Sequence, residues 1–461
     1  MKKNLVSRAA LAAAISAASS GSMAAGFYLQ ETSGVGLGRA FAAENTIGDN
    51  ASILARNPAG SALFDTITLS GGLTYIDPEI DVAGDITYLF PDGSGGLGSQ
   101  TFFDTAKDYA SDAFVPNGYI AVPIDPCWSV GLALFSNYGL ETDFSSGWLA
   151  TNINDKSELL TVNIAPSVAY KFNEQFSVGV AANFVYADAK LTTKVPANFP
   201  IVPALSNDSI LRYDDADDWD VSWSLGALWN IDERTRLGIS YHAEIDPDLS
   251  GNLSSDFLPT AVIPTLPLFD DARANAPLDL PDTLELGLYH RFNDQWGFAA
   301  GLTWTDWDDF ETLEAFVPSA RTGTDFEPFN PLVFREENFE SGFRYSIAAE
   351  YYPCDQVTWR IGYAYDESAA RDGLNRAETA ETGFPVTWRS LAIPDTDRQW
   401  VTFGGTYEYD QHWSFDGGLA YLWGDDETIQ EFTSIPVPTV FDGQTTNTEA
   451  WLLGGSVNYK F

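Results

Sequence analysis

Large apolar and small residues alternate along strand-length segments of this chain, and the apolar rows end in aromatics. Trp296, Phe298, Ala300, Leu302 and Trp304 share one face, and Gly297, Ala299, Gly301 and Thr303 share the other. This follows because successive strand side chains point to opposite sides. Phe176, Val178, Val180, Ala182, Phe184 and Tyr186 repeat the pattern, as do Trp451, Leu453, Gly455, Val457, Tyr459 and Phe461. A soluble sandwich also alternates. Apolar faces closed by aromatics at both rims instead match the interfacial girdles of a transmembrane barrel.

The connections alternate in length. Six tight polar turns recur: Asp125-Pro126-Cys127-Trp128, Asn173-Glu174-Gln175-Phe176, Asp232-Glu233-Arg234-Thr235, Asn293-Asp294-Gln295-Trp296, Cys354-Asp355-Gln356-Val357 and Asp410-Gln411-His412-Trp413. Asn, Asp and Pro supply the turn chemistry. Between them lie long polar stretches at 81–113, 140–157, 195–217, 249–280, 309–338, 369–396 and 425–446. Short periplasmic turns and long extracellular loops are the asymmetry of outer-membrane barrels. The expected fold is all-β: a 14-stranded antiparallel transmembrane β-barrel spanning residues 66–461, with both termini on the periplasmic side. The last residue, Phe461, ends an alternating strand and resembles the signal by which such barrels are recognised for assembly.

The N-terminus sets the compartment. Lys2, Lys3 and Arg8 precede the apolar run Ala9 to Ala18, and Ser22-Met23-Ala24 offers small residues at a cleavage site. Residues 1–24 therefore read as a secretory signal peptide. No later segment has 18 consecutive apolar residues, so no transmembrane helix is expected. Residues 25–65 are rich in Gly, Ala and Asn with little alternation. They are expected to fold as a hatch within a lumen too wide for side chains alone to close. A net charge of −41 makes nucleic acid an implausible partner. Solvent-facing loops and the lumen are the expected seats of that acidity, and divalent cations bridging to lipopolysaccharide would also account for it.

Several signals carry no chemistry. Gly34-Val35-Gly36-Leu37-Gly38 lacks the βαβ frame of a dinucleotide loop. His242, His290 and His412 are too few and wrongly placed for an outer-membrane hydrolase, so no enzyme and no cofactor are expected. Asp214-Asp215-Ala216-Asp217-Asp218 offers oxygen ligands for calcium, but reads first as a solvated loop. Cys127 and Cys354 both follow a proline in short turns and are not expected to bond.

The ordered motifs resemble a known family. Ala25-Gly26-Phe27, Ser33-Gly34-Val35-Gly36-Leu37-Gly38-Arg39-Ala40 and Arg56-Asn57-Pro58-Ala59 are similar to the N-terminal hatch of FadL-type outer-membrane long-chain fatty acid transporters. The resemblance continues through Tyr75-Ile76-Asp77-Pro78, Tyr138-Gly139-Leu140-Glu141-Thr142, Leu280-Pro281-Asp282-Thr283 and Ile393-Pro394-Asp395-Thr396-Asp397-Arg398. It implies passive uptake of a hydrophobic molecule: capture among extracellular loops, passage to an inner pocket, hatch movement, and sideways release where the third strand is kinked. Outer-membrane lipid, lipopolysaccharide and the barrel assembly machinery are the other implied partners.

Three groups of residues map onto those roles. Phe199, Ile201, Val202 and Leu205, with Phe257, Leu258, Val262, Ile263, Leu266 and Phe269, place apolar patches in loops of a very acidic chain. Such patches suit ligand capture or a packed lid. Trp128 to Leu134 runs into Ser136, Asn137, Tyr138 and Gly139, where loss of large apolar residues suits a kink or a plain bulge. By resemblance, Gly26 and Phe27 lie at the inner pocket and Asn57, Pro58 and Ala59 shape a hatch turn. Positions where the family holds basic residues for a carboxylate fall near Asp188, Lys190 and Glu314. Two of the three are acidic, which weakens the case for a carboxylate and raises that for an uncharged hydrocarbon, and both ligand classes stay open. A non-transporting receptor or adhesin on the same barrel, and a polar-solute porin, are the alternatives.

Overall fold

The computed structural model describes residues 26–93, 95–256, 272–316 and 333–461, so the expected signal segment lies outside the described residues. Fourteen strands of these residues form one antiparallel ladder. They are β1 (Thr68–Pro91), β2 (Ala113–Pro123), β3 (Trp128–Phe135 with Gly139–Asp143), β4 (Lys156–Lys171) and β5 (Phe176–Lys194). Then come β6 (Ser209–Asn230), β7 (Thr235–His242 with Asp248–Ser254), β8 (Ala272–Pro277 with Thr283–Arg291) and β9 (Trp296–Thr305). The last five are β10 (Gly342–Cys354), β11 (Val357–Asp366), β12 (Arg398–Glu408), β13 (Trp413–Gly424) and β14 (Thr439–Lys460). β14 returns to β1 from Thr68↔Lys460 to Tyr88↔Thr439 and closes the barrel.

The recurring turns work through one carboxylate or amide oxygen. Asp125 Oδ1 accepts from the Cys127 and Trp128 backbone N–H groups, both at 2.8 Å. Asn173, Asn293 and Asp410 do the same for their own turns. A side chain that replaces a backbone acceptor fixes a tight reversal and the strand register that follows. Cys127 and Cys354 are exposed and unbonded.

Alternation delivers the two faces. On β3, Trp128, Val130, Leu132 and Leu134 are exposed, whereas Ser129 and Ala133 are buried. On β14, Trp451, Leu453 and Val457 face out, and Ala450 and Leu452 face in. The large outward residues meet lipid, and the small inward ones leave space within.

The ladder extends beyond the expected strands. β1 continues to Pro91, Leu97–Ala106 folds back along it, and Thr428–Thr433 pairs with the outer end of β14. Stretches expected as loops at 81–113 and 425–446 are thus largely strand. So is the acidic run 214–218, which lies in β6 rather than in a loop. The reason is visible on β1: Ile80, Val82, Ile86 and Tyr88 keep the inward alternation and pack beneath Phe144, Trp148, Phe199 and Phe441.

Residues 26–63 sit inside the ring and are almost all buried. Three short helical turns shape this segment: Gly34–Leu37, Ala51–Ala55 and Pro58–Leu63. Ser33, Asn50 and Asn57 cap them by accepting a backbone N–H two or three residues on. Pro58 occupies the first helical position, where its missing N–H costs nothing. The segment rests on a belt of inward glycines. A Cβ on Gly404 would lie 2.6 Å from Gly38 Cα, and one on Gly418 would lie 2.7 Å from the Gly34 oxygen. Gly226, Gly238, Gly287 and Gly362 are pressed as closely by Asn57, Thr46 and Arg39.

This contact generates a prediction. Gly362→Val adds an isopropyl group against backbone, and overpacking costs ~1–3 kcal/mol, roughly five- to 150-fold in seating. The barrel should still assemble and show heat-modifiable gel mobility. Residues 26–63 should become protease-sensitive, and planar-bilayer conductance should rise. Gly417→Val, where a Cβ meets nothing within 4 Å, should change neither.

Candidate functional site

Above the N-terminal segment lies an apolar cavity of about 80 Å³. Leu140 of β3, Leu159 of β4, Leu191 of β5, Tyr213 of β6, Leu249 of β7 and Leu278 beyond Pro277 line it. Phe27 forms part of its wall from the N-terminal segment, and Phe310, Leu313 and Ile393 close it from the loops. Lys190, Glu158 and Glu314 supply the charges.

Phe27 lines this cavity and also packs on Tyr138 at a break in the barrel wall. Its ring stands edge-on to Trp307 (4.8 Å between centroids), Phe310 (5.4 Å) and Tyr138 (6.1 Å). Phe339 completes the cluster against Trp307 and Phe310. Edge-to-face pairs of this kind add about 0.5–1.5 kcal/mol each beyond burial. Gly26 has φ +61°, and an added Cβ there would lie 2.6 Å from the Trp307 ring. Only glycine allows the chain both that left-handed turn and that approach.

The break is in β3. Phe135 pairs with Asn163 and Gly139 with Leu160, so Ser136, Asn137 and Tyr138 stand opposite two residues, Thr161 and Val162. The extra residue is a bulge. All three bulge residues are buried, which turns the strand into the lumen. On the other side, the β2–β3 ladder runs from Pro123↔Ser129 only to Gly118↔Leu134. Residues 113–117 of β2 therefore pair with β1 alone. The N-terminal segment makes up part of the loss: Leu29 N–H donates to the Asn137 carbonyl (2.7 Å), and Gly139 N–H donates to the Phe27 carbonyl (3.0 Å). The Tyr138 hydroxyl donates to the Pro281 carbonyl across the lumen (2.6 Å).

Charges tie the segment to the wall. The Arg56 guanidinium meets Glu285 of β8 at 2.9 Å and also donates to the Gln30 carbonyl and side chain. Arg39 meets Glu44 at 2.7 Å and Glu350 of β10 at 3.1 Å, and it also contacts Asp49. Arg360 shares Glu350 at 2.9 Å. Arg344 of β10 donates to the Ala40 carbonyl at 3.0 Å. Glu31 is an exception, since its Oε2 is buried with no hydrogen-bond partner. Burial pushes its carboxyl up to about 7, with Arg344 and Arg56 pulling the other way.

The sequence-derived candidates divide. Phe27, Lys190 and Glu314 line the cavity, with Gly26 against Trp307. Asp188 lies near Asp217, with the Tyr186 hydroxyl between them at 3.4 and 3.3 Å, and does not line the cavity. Asn57, Pro58 and Ala59 pack on Gly179 and Gly226, away from it. Ser136, Asn137, Tyr138 and Gly139 sit at the break. Phe199 is buried against Tyr88 and belongs to a packed lid, Ile201 and Leu205 are half-buried there, and Val202 is exposed. Phe257, Leu258, Val262, Ile263, Leu266 and Phe269 lie outside the described residues. Trp307, Phe339 and Glu285 went unmarked by sequence reasoning, and Arg56 was marked only as part of the Arg56-Asn57-Pro58-Ala59 motif, with no partner assigned. An inward glutamate on β8 facing one of only two arginines in residues 25–65 was the available signal.

Comparison with known proteins follows the same geometry. Residues 15–461 match the model of the family described as outer membrane protein transport protein (OMPP1/FadL/TodX). The long-chain fatty acid transport protein of Salmonella typhi is 32% identical over 477 residues, spanning 100% of both chains. A Pseudomonas aeruginosa FadL homologue superposes with a TM-score of 0.78 at 22% identity, covering 95% of this chain and 100% of its own. The Ralstonia pickettii toluene transporter gives 0.60 at 16% identity, covering 94% and 100%. The last two likenesses concern the fold.

Two measurements probe the site. Removing one partner of a buried ion pair costs ~3–5 kcal/mol, so Arg56→Met should lower the urea midpoint for exposure of the N-terminal segment. Arg56→Met with Glu285→Leu should recover part of the loss. For Glu31 the folded value of about 7 lies above the ordinary 4.5. The unfolded group loses its proton first, so seating is strongest at low pH and weakens as pH rises through that window. Hydrogen exchange of residues 26–32 should track this, and Glu31→Gln should flatten it.

Proposed function

The chain belongs to the OMPP1/FadL/TodX family of outer-membrane transport proteins, and from that premise we propose that it takes up long-chain apolar molecules, fatty acids or hydrocarbons, by lateral release into the bilayer. In this reading residues 25–65 are the hatch and residues 66–461 the barrel. Ligand collects on the apolar extracellular loop residues, Val202 among them, and enters the cavity behind Phe27. Movement of Phe27 out of its aromatic cluster joins the cavity to the break at Ser136–Gly139. The proposal contains no chemical step.

The observation that carries it is the position of Phe27, which lines the apolar cavity and also packs on Tyr138 at the interruption between β2 and β3. Sideways exit suits the cargo. Each methylene kept from water is worth ~0.8 kcal/mol, so a long chain passing into lipid avoids a barrier that release into the periplasm would impose. The outward apolar face and the terminal Phe461 are the surfaces that lipid, lipopolysaccharide and the assembly machinery would meet.

Deleting Ser136 removes the extra residue of the bulge and should let β3 pair with β2 without a gap. Uptake of oleate and of hexadecane by cells lacking their own transporter should fall at least tenfold. Binding of the same ligands to the purified barrel should persist. Unchanged uptake would sink lateral release and favour a receptor or adhesin role for the same barrel.

A further inference from the structure

The charged end of the cavity holds an arrangement that apolar cargo does not need. Lys190 of β5 and Glu314 of the hairpin after β9 both line it. Among the described residues neither side chain has a hydrogen bond or an ion pair within 4 Å, although they carry opposite charge. Glu158 is directly across the ladder from Lys190, yet it is engaged elsewhere: its carboxylate meets Lys156 at 3.2 Å, and Lys156 also binds Glu141 at 2.8 Å. Both Lys190 and Glu314 are half-buried, so each has given up part of its hydration without gaining a partner. Uncompensated charge beside apolar walls is costly, and a group that meets both ends removes the cost.

Resting on the transport reading above, we propose that the cavity selects a long-chain amphiphile whose head both accepts and donates hydrogen bonds, a primary amide being the simplest, held between Lys190 and Glu314. The amide oxygen accepts from the Lys190 ammonium, and the amide N–H donates to the Glu314 carboxylate. A free carboxylate satisfies Lys190 but faces Glu314 and Glu158 with like charge. An amine satisfies Glu314 and repels Lys190. A hydrocarbon leaves both charges bare. The tail lies among Leu140, Leu159, Leu278 and Phe310 in each case.

The test uses the purified full barrel in a neutral maltoside detergent, with hexadecanamide, hexadecanoate, hexadecylamine and hexadecane each displacing a fluorescent apolar probe. One hydrogen bond to a charged group is worth about tenfold or more in affinity, so the amide should bind at least about tenfold tighter than each of the others. Lys190→Met and Glu314→Gln should each cut amide affinity about tenfold and should leave hexadecane no weaker, since each variant removes a charge that the hydrocarbon leaves bare. Equal or tighter binding of hexadecanoate overturns the proposal, as does an equal loss of amide and hexadecane in both variants. Displacement by none of the four would instead show that the cavity is not the ligand site, and the transport reading would fail first.

Discussion

The backbone hydrogen bonds between Phe27–Leu29 and the bulge of β3 are the contact on which the remaining architecture turns. A membrane barrel closes because unpaired N–H and C=O groups in hydrocarbon cost several kcal/mol each. Here the β2–β3 ladder stops at Gly118↔Leu134, and the chain compensates by turning Ser136–Tyr138 inward, where the hatch meets them. The break in the wall and the position of the hatch are therefore one structural fact. A hatch that left its seat would strip partners from β3 at the same moment that it uncovered the cavity.

The strength of the seat comes from two different sources. Inward glycines let the backbone of residues 34–46 and 57–59 approach the wall closely, which gives shape without direction. Arg39 and Arg56, bound to Glu350 and Glu285, add direction, because a guanidinium paired in the interior tolerates little displacement. Buried pairs of this kind contribute little net stability against an apolar alternative, and their worth here is in fixing one position. Phe27 itself has no charged partner and is held by its aromatic cluster and by the Gly139 N–H that its carbonyl accepts.

Much of this was legible in the sequence. Alternation ending in aromatics gave the lipid face, and the six polar turns marked the strand pairs, because five of them are local motifs built on a single Asx oxygen. The ordered hatch motifs led to Phe27, and the loss of apolar residues after Leu134 led to the bulge. What stayed hidden depends on distance along the chain. Trp307 and Phe339 read as loop aromatics in acidic surroundings, and only closure of the ring brings them to Phe27. The outer parts of β1, β6 and β14 read as polar loops, since above the membrane only the inward face is apolar and the signal is halved. Phe199 looked like an exposed patch because the lid that buries it is assembled from three other loops.

The distribution of charge completes the argument. With 65 acidic and 24 basic residues, each cation has several possible partners, and Arg39, Arg56, Arg360 and Lys156 each meet more than one carboxylate or polar group. Among the described residues Lys107, Lys190 and Lys460 make no ion pair, and of these Lys190 alone lines the cavity. It shares that wall with an unpaired glutamate, Glu314. No ion pair joins the two, although both belong to the lining of the same cavity. A cavity that was only a passage for hydrocarbon would be better served by two more leucines.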